Sequence, residues 1–275
     1  LTGQWSDDYH HAVHVALTGE TQGYYADFAP LSALGLAATR GFFHAGTYSS
    51  FREREHGRPI PPDTEAWRLV TFSQNHDQIG NRAAGDRITA ALSEDRLAIA
   101  AVLTVLSPFT PMLFMGEEWA ASTPWPFFTS HPEPELAAAV EKGRLEEFAR
   151  MGWDPAEVAH PQDPATFESA RLDWAELARP LHARMLERYR ALIALRRREP
   201  ELRSPRVGDL TGEWDDDART IALGRGGIVI RVNLGTAPWR TGGHEQVLFT
   251  TTEAVPDGGG ELVLPPDSAV VSRRG

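Results

Sequence analysis

The sequence predicts an α/β fold of parallel strands that alternate with helices, followed by a small antiparallel β domain. Two short apolar runs, 67–72 and 110–115, have the composition of buried strands, and each ends abruptly in polar residues. Apolar segments with helical spacing lie before and between them. Beyond residue 203 the pattern changes to short apolar runs separated by glycine-rich turns. We therefore predict an α/β domain over residues 1–203 and an all-β domain over residues 204–275.

The predicted helices of the first domain are defined by apolar spacing and by their end signals. Residues 27–45 are apolar at helical intervals, with Pro30 in the first turn. Ser93 begins a second apolar helix with acidic residues in its first turn, and Pro108 ends it. A further amphipathic helix is predicted over 179–197, where the arginines form a solvated face.

A long excursion rich in proline and acidic residues, 122–177, precedes this last helix and is predicted to be helical near 134–150. In the β domain, period-two or short apolar runs predict four strands. These predicted strands are 220–223, 228–234, 246–249 and 261–264.

The number of βα units is small for a closed barrel. A (β/α)₈ barrel takes about 250 residues, yet only about three βα units precede the β domain. Either the sheet is open or the sequence is the back half of a longer chain, and the start at Leu1, close to a polar stretch, favours the second interpretation. In both cases we expect site residues at the C-terminal edge of the sheet.

The composition argues against several classes of function. The 275 residues carry a formal net charge of −11 and include no cysteine. The negative charge argues against a nucleic-acid partner, and the lack of cysteine excludes disulfides and thiolate metal sites. No run approaches the ~18 to 20 uncharged apolar residues of a membrane span, and the first residues lack the layout of a signal peptide. We therefore expect a soluble, cytoplasmic protein with no membrane partner.

The strongest functional motif is the polar stretch 73–82, SQNHDQIGNR, at the end of the first apolar strand. A buried run that gives way to amide, imidazole, carboxylate and guanidinium groups is costly unless these groups meet a ligand or one another. Carboxylates and amides bind vicinal hydroxyls in pairs, so this mixture suits a hydroxyl-rich ligand. The structural alternative is a helix N-cap and turn network around Asp77 and Asn81.

A second polar stretch, 4–14, has the sequence QWSDDYHHAVH. On a helix, His10 and His14 would share one face and could bind zinc with a nearby aspartate, although the glutamate typical of hydrolytic zinc helices is missing. A sugar subsite is better supported, because indole faces stack on pyranose rings while carboxylates accept from hydroxyls. Its members would be Trp5, Asp7, Asp8 and His10. A capped surface loop is the structural alternative.

A third stretch, 116–128, has the sequence GEEWAASTPWPFF and places acids beside aromatic side chains. Glu117 and Trp119 could contact a glucan as part of an aromatic platform. The same residues could equally pack in a core beneath the long excursion. The sequence leaves both interpretations open.

Taken together, these stretches resemble the α-amylase superfamily of glycoside hydrolases. The tripeptide NHD after an apolar strand is similar to a conserved region of that superfamily at the end of barrel strand seven. Within the superfamily, the resemblance is to the malto-oligosyltrehalose trehalohydrolase family, and it extends over nearly the whole chain. The blocks that carry it are FSQNHDQIGNR, QWSDDYHHAVHVALTGE, LFMGEEWAASTPWPFFTSH and PQDPATFESARLDW.

The resemblance implies a fold and a reaction. Residues 1–203 would hold about strands six to eight of a (β/α)₈ barrel, and residues 204–275 the C-terminal β-sandwich. The implied reaction is retaining hydrolysis of the α-1,4 bond next to the trehalose end of maltooligosyl trehalose, which releases trehalose. It implies no metal or organic cofactor.

The resemblance also assigns roles to residues. Asp77 matches the carboxylate that stabilises the transition state, and His76 matches the histidine that binds the same sugar. Gln78, Asn81 and Arg82 are expected to contact neighbouring sugars. A further subsite would be lined by Trp5, Ser6, Asp7, Asp8, Tyr9 and His10. Glu117 and Trp119 complete the predicted substrate-binding set.

The superfamily's nucleophilic aspartate and acid/base glutamate follow barrel strands four and five, which this sequence does not contain. We therefore expect this polypeptide alone to be inactive, and to fold poorly because half a barrel leaves two unpaired sheet edges. Two alternatives stay open. One is a glucan-branching transferase of the same superfamily, which the sequence QIGNR disfavours, and the other is a non-catalytic glucan-binding module.

Overall fold

The computed structural model of the chain describes residues 2–150, 158–203, 205–243, 245–252, 255–256 and 261–275. The chain divides into two compact units. Unit 1 comprises Leu1–Ser73, Leu92–Met112 and Glu187–Gly275, and unit 2 comprises Gln74–Ala91 and Leu113–Leu186. The predicted domain boundary between residues 203 and 204 remains a prediction.

The helices and strands are numbered in chain order. The helices are α1 (Asp7–Thr18), α2 (Leu31–Arg40), α3 (His76–Gly80), α4 (Glu94–Val105), α5 (Pro134–Arg150), α6 (Pro164–Ser169) and α7 (Pro180–Arg198). The strands are β1 (Gln4–Trp5), β2 (Thr47–Ser49), β3 (Arg54–His56), β4 (Leu69–Thr71), β5 (Thr110–Pro111), β6 (Thr211–Asp215), β7 (Thr220–Arg225), β8 (Ile228–Asn233), β9 (Trp239–Thr241), β10 (Gln246–Thr250), β11 (Val255–Pro256), β12 (Leu262–Leu264) and β13 (Ser268–Arg273). Across the described ranges, no helix combines the length and the apolar character needed to cross a membrane.

Unit 1 contains a parallel sheet with the strand order β1-β4-β5. Its register pairs Gln4 with Leu69. The strands predicted over 67–72 and 110–115 are confirmed in position but are shorter than expected. Pro111 has no N–H to donate, and β5 ends there. β1 was not predicted, because two residues show no periodicity.

The helices of unit 1 form where apolar spacing predicts them. The Ser93 hydroxyl accepts from the Arg96 N–H at 3.3 Å and caps α4, which is buried along most of its length. The helix predicted over 27–45 is shorter than expected. It forms α2 and ends at Gly41, whose φ of +88° favours glycine. α1 forms in a stretch where the sequence left helix and loop both open.

Unit 1 also contains two larger antiparallel sheets that share a small apolar cluster. The five-stranded sheet has the order β10-β13-β8-β7-β6, and the three-stranded sheet has the order β11-β12-β9. Leu262 and Leu264 of the smaller sheet pack with Val270 of the larger sheet, and Trp239 lies against this cluster. The four predicted strands are confirmed as β7, β8, β10 and β12. The other strands were missed because their apolar runs are short or interrupted by polar residues.

Unit 2 contains α3, α5, α6 and the first part of α7. Main-chain carbonyls of Thr123 and Met115 accept from the buried Arg87 guanidinium at 2.5 and 2.9 Å. The buried Gln74 side chain accepts from the Ile88 N–H at 3.1 Å. This last bond ties together the two ends of the segment that contains α3.

Candidate active site

The C-terminal ends of β1 and β4 lie side by side in unit 1. The Ser6 N–H donates to the Val70 carbonyl at 2.9 Å, directly after the paired residues of β1. The Trp5 ring meets the Phe72 ring edge-on, with centroids 5.6 Å apart. This is the sheet edge at which polar side chains were expected to gather.

Ser6 and Tyr9 have structural roles at this edge. Ser6 is fully buried, and its hydroxyl donates to the Gly41 carbonyl at 2.6 Å while accepting from the Tyr9 N–H at 3.3 Å. Tyr9 is 1% exposed, and its hydroxyl donates to the Leu103 carbonyl at 2.6 Å. Burial raises the pKa of Tyr9 to about 12. The core encloses both side chains, so this geometry does not support the predicted sugar-subsite role of Ser6 and Tyr9, which stays a prediction.

His10 is enclosed as well. It is 2% exposed, its ring stacks on Phe72 with centroids 5.5 Å apart, and its Nδ1 lies 3.2 Å from His11 Nδ1. His10 therefore has a packing role here, and its predicted sugar contact stays a prediction that this burial does not support. His14, the other histidine of the zinc interpretation, has its Nε2 2.8 Å from Glu20 Oε2. Among the described residues, no group of three or more histidine, aspartate or glutamate side chains could hold a metal ion.

The other predicted residues of this stretch line a cleft of about 490 Å³ in unit 1. Trp5 and Asp7 are exposed, and the half-buried Asp8 accepts from the His44 N–H at 2.7 Å. The cleft is also lined by basic residues that the sequence analysis missed, namely His44, Arg52, His56, Arg58 and Arg68. The signal for several of them is the charged segment 52–58, but the same composition is typical of an exposed loop.

In unit 2, α3 presents the central pair of the predicted site. Asn75 precedes the helix, and its side-chain oxygen accepts from the Gln78 N–H at 2.7 Å. His76 and Asp77 are the first two residues of the helix and are exposed, whereas Ile79 is buried. Both interpretations of this motif therefore hold in part: Asn75 supplies an N-cap, and His76 and Asp77 are accessible to a ligand.

The next residues of the motif make protein contacts within unit 2. Asn81 Oδ1 accepts from Arg144 Nη1 at 2.8 Å. Arg82 Nε donates to Asp86 Oδ2 at 2.9 Å. Gln78 is half-buried. The amide oxygen of Asn81 and the Nε of Arg82 are therefore already hydrogen-bonded to protein side chains.

Glu117 and Trp119 belong to the core of unit 2. They are 4% and 3% exposed, respectively. Glu117 Oε2 accepts from the Phe114 N–H at 3.0 Å, and the Trp119 ring packs against Trp174 with centroids 5.0 Å apart. This burial favours the core-packing alternative for Glu117 and Trp119, and their predicted sugar contact stays a prediction.

The predicted residues that remain accessible form two groups, each within one unit. Trp5, Asp7 and Asp8 line the cleft of unit 1. His76 and Asp77 share the first turn of α3 in unit 2. Carboxylates and imidazoles can bind sugar hydroxyls, and an exposed indole can stack on a sugar ring.

Known proteins resemble the chain along its whole length. Residues 205–271 match a family model described as "Domain of unknown function (DUF3459)". Over 277 residues the chain is 56% identical to malto-oligosyltrehalose trehalohydrolase of Rhizobium sp. (strain M-11). This alignment covers 99% of this chain and 46% of that protein. It is 54% identical to the protein of the same name from Brevibacterium helvolum, over 98% of this chain and 46% of that protein.

A solved structure extends this similarity to the fold. The 1.4 Å crystal structure named "Putative alpha Amylase from Salmonella typhimurium" matches with a TM-score of 0.86 at 32% identity, over 100% of this chain and 47% of that chain. The chain belongs to the α-amylase superfamily. The predicted fold class is confirmed, with a C-terminal β domain as in other superfamily members. The chain spans a little under half the length of the trehalohydrolases that it matches.

Proposed function

We propose that the protein containing this chain is a retaining glycoside hydrolase that cleaves the α-1,4 bond next to the trehalose end of maltooligosyl trehalose. The observation that carries this proposal is the 56% identity, over nearly the whole chain, to a protein named for this activity. The product is trehalose, so we place the reaction in trehalose biosynthesis. The cytoplasmic location remains a prediction from the sequence.

Asp77 and His76 hold the sugar at the cleaved bond. The Asp77 carboxylate accepts from two hydroxyls, and its charge stabilises the oxocarbenium-like transition state. His76 donates to the same sugar. Their exposure on the first turn of α3 supports these roles, because a ligand can reach both side chains.

Retaining hydrolysis also needs a nucleophile and a general acid whose carboxyl groups are ~5 to 5.5 Å apart. We assign both to the part of the related proteins that this chain does not span. Asp77 alone stabilises charge but forms no glycosyl-enzyme bond. The isolated chain is therefore expected to be inactive.

The cleft of unit 1 provides a second sugar-binding surface in this proposal. The Trp5 ring is 40% exposed and can stack on a pyranose face. Asp7 accepts from hydroxyls, and the arginines that line the same cleft donate to them. The ligand that fits this surface is a neutral α-glucan, and no nucleic-acid or membrane partner is part of the proposal.

Product analysis of the full-length protein tests the function. Maltotriosyl trehalose and maltopentaose contain the same number of glucose units, but only the first has a trehalose end. We expect trehalose and maltotriose from the first substrate and much slower cleavage of the second, as measured by anion-exchange chromatography.

Other products would contradict the proposal in distinguishable ways. Longer glucans without free trehalose would indicate the branching transferase. Glucose or maltose alone would indicate a different hydrolase of the superfamily. Binding of substrate with no product would indicate the non-catalytic glucan-binding module.

A further inference from the structure

A side chain of the long excursion is bonded to the far end of the helix that carries His76 and Asp77. Arg144, on α5, donates from Nη1 to Asn81 Oδ1 and from Nη2 to the Gly80 carbonyl oxygen, both at 2.8 Å. Both acceptors lie at the C-terminal end of α3. The planar guanidinium offers these two acceptors a fixed fork of N–H groups, a geometry that the single ammonium of a lysine does not provide.

The guanidinium is itself held in place. Its central carbon lies 4.3 Å from the centroid of the Phe127 ring, a cation–π distance. Arg144 and Phe127 are both half-buried, which strengthens this contact relative to a fully exposed pair. Arg144 therefore connects the excursion, through both Phe127 and α5, to the end of α3.

Asn81, which binds Arg144 through its side chain, is also hydrogen-bonded to the backbone of Asp77. The Asn81 N–H donates to the Asp77 carbonyl at 2.9 Å, so that Arg144, Asn81 and Asp77 form one hydrogen-bonded series. At the other end of α3, Asn75 caps the helix through the Gln78 N–H. A five-residue helix does not persist by itself, because forming the first turn costs more than its few hydrogen bonds return. Contacts at both ends, together with the buried Ile79, therefore fix the turn that presents His76 and Asp77.

We propose that Arg144 is a positioning residue that fixes the orientation of Asp77 and His76 by holding the C-terminal end of α3. The role of Asn81 changes accordingly, from a sugar contact to the point at which Arg144 is attached. The expected effect of Arg144 on kcat rests on the proposed function. The structural claim, that Arg144 keeps α3 ordered, does not depend on any substrate.

The first test measures the order of α3 by amide hydrogen exchange in the full-length protein. Arg144→Ala should accelerate exchange in peptides covering residues 76–82 by about tenfold. Lys142→Ala is the matched control, because Lys142 is an exposed cation on α5 that pairs only loosely with Glu146 at 3.8 Å. Equal exchange in the two variants would overturn the proposal, whatever the substrate of the protein is.

The second test measures trehalose release well below the unfolding midpoint of each variant. Arg144→Ala should lower kcat by about 10- to 100-fold with little change in KM, because the reacting groups are misplaced rather than removed. Arg144→Lys should recover only part of this loss, and Lys142→Ala should match the wild type. A purely structural role would lower the unfolding midpoint while leaving kcat of the folded protein unchanged.

A double-mutant cycle identifies the path. If Arg144 acts through Asn81, the kcat losses of Asn81→Ala and Arg144→Ala should be non-additive, and the double variant should be close to the worse single variant. If the fold-loss in kcat of the double variant equalled the product of the two single losses, Arg144 would not act on Asp77 through Asn81. A wild-type protein that releases no trehalose would reject the proposed function, while the exchange comparison would still decide whether Arg144 orders α3.

Discussion

Two helices of this chain begin shortly after a parallel strand and use their polar first turns differently. β1 ends at Trp5 and is followed by α1, whereas β4 ends at Thr71 and is followed by α3. Each helix is capped by a side-chain oxygen, from Ser6 in α1 and from Asn75 in α3. Each also has aspartate in its first turn. By residue type alone, both starts are candidate sugar-binding sites.

The two helices differ in the length of helix behind the first turn. α1 continues for 12 residues with eight of them buried, and these include Tyr9 and His10 of its first turn but not Asp7 or Asp8. α3 has only five residues, and its start is left exposed. The hydroxyls of Ser6 and Tyr9 consequently bind main-chain carbonyls. In α1, Tyr9 and His10 of the first turn are therefore buried and only Asp7 and Asp8 line the cleft, whereas both residues that begin α3 are accessible.

The comparison predicts its largest stability loss at Tyr9. Tyr9→Ala removes a fully buried ring and should lower the free energy of unfolding of the full-length protein by ~3 to 5 kcal/mol. Tyr9→Phe keeps the ring, loses the hydroxyl that bonds the Leu103 carbonyl and Ser107, and should cost ~1 kcal/mol. Urea unfolding measures both losses. If Tyr9→Phe instead weakened substrate binding and left stability unchanged, Tyr9 would belong to the sugar site.

A smaller loss is expected when the cap of α1 is removed. Ser6→Ala should cost ~1 to 2 kcal/mol, because it removes a helix cap and also leaves the buried Gly41 carbonyl without its donor. Ser93→Ala is the matched control, since Ser93 caps α4 from an exposed position and should cost only ~0.5 to 1 kcal/mol. Equal losses in the two variants, measured by urea unfolding, would show that the Gly41 bond adds nothing.

A separate prediction concerns the pH dependence of stability and the histidines of α1. Burial, followed by the nearby charges of His14, Arg52 and His44, lowers the pKa of His11 to about 3. The unfolded chain binds this proton near pH 6.5. The free energy of unfolding should therefore fall as pH falls from about 6.5 towards 3, because protons bind the unfolded state preferentially.

His11→Gln should make this pH dependence shallower, as measured by urea unfolding at several pH values between 4 and 7. His131→Gln is the control, because His131 lies in unit 2 rather than in the aromatic cluster of α1. An unchanged pH dependence in His11→Gln would contradict the account of His11 as a neutral, packed ring.

Much of the fold could be predicted because local signals agree with it. Ser93 and Pro108 flank α4, and the apolar run before the NHD tripeptide forms β4. The exposure of Asp77 also agrees with the expectation from a polar stretch after a strand. β1 was not predictable, since a two-residue strand is defined by its partner Leu69 rather than by its own sequence.

The roles of several site residues could not be predicted because they depend on contacts distant in sequence. Glu117 and Trp119 have the composition of a sugar platform, but both side chains are buried, and the Trp119 ring packs against Trp174. Asn81 lies in the motif expected to bind sugar, yet its partner Arg144 is 63 residues away. Periodicity and motif spacing do not report such pairings.

The most direct test of the central claim compares two aspartates with the same local position. Asp77 and Asp95 are each the exposed second residue of a capped helix, so Asp→Asn removes the same favourable interaction with the helix dipole in both. In the full-length protein, Asp77→Asn should lower kcat for trehalose release by about 10³-fold or more. Asp95→Asn should keep the wild-type kcat. The two variants should have the same unfolding midpoint. Turnover by Asp77→Asn within about tenfold of the wild type would contradict the claim that this carboxylate stabilises the transition state.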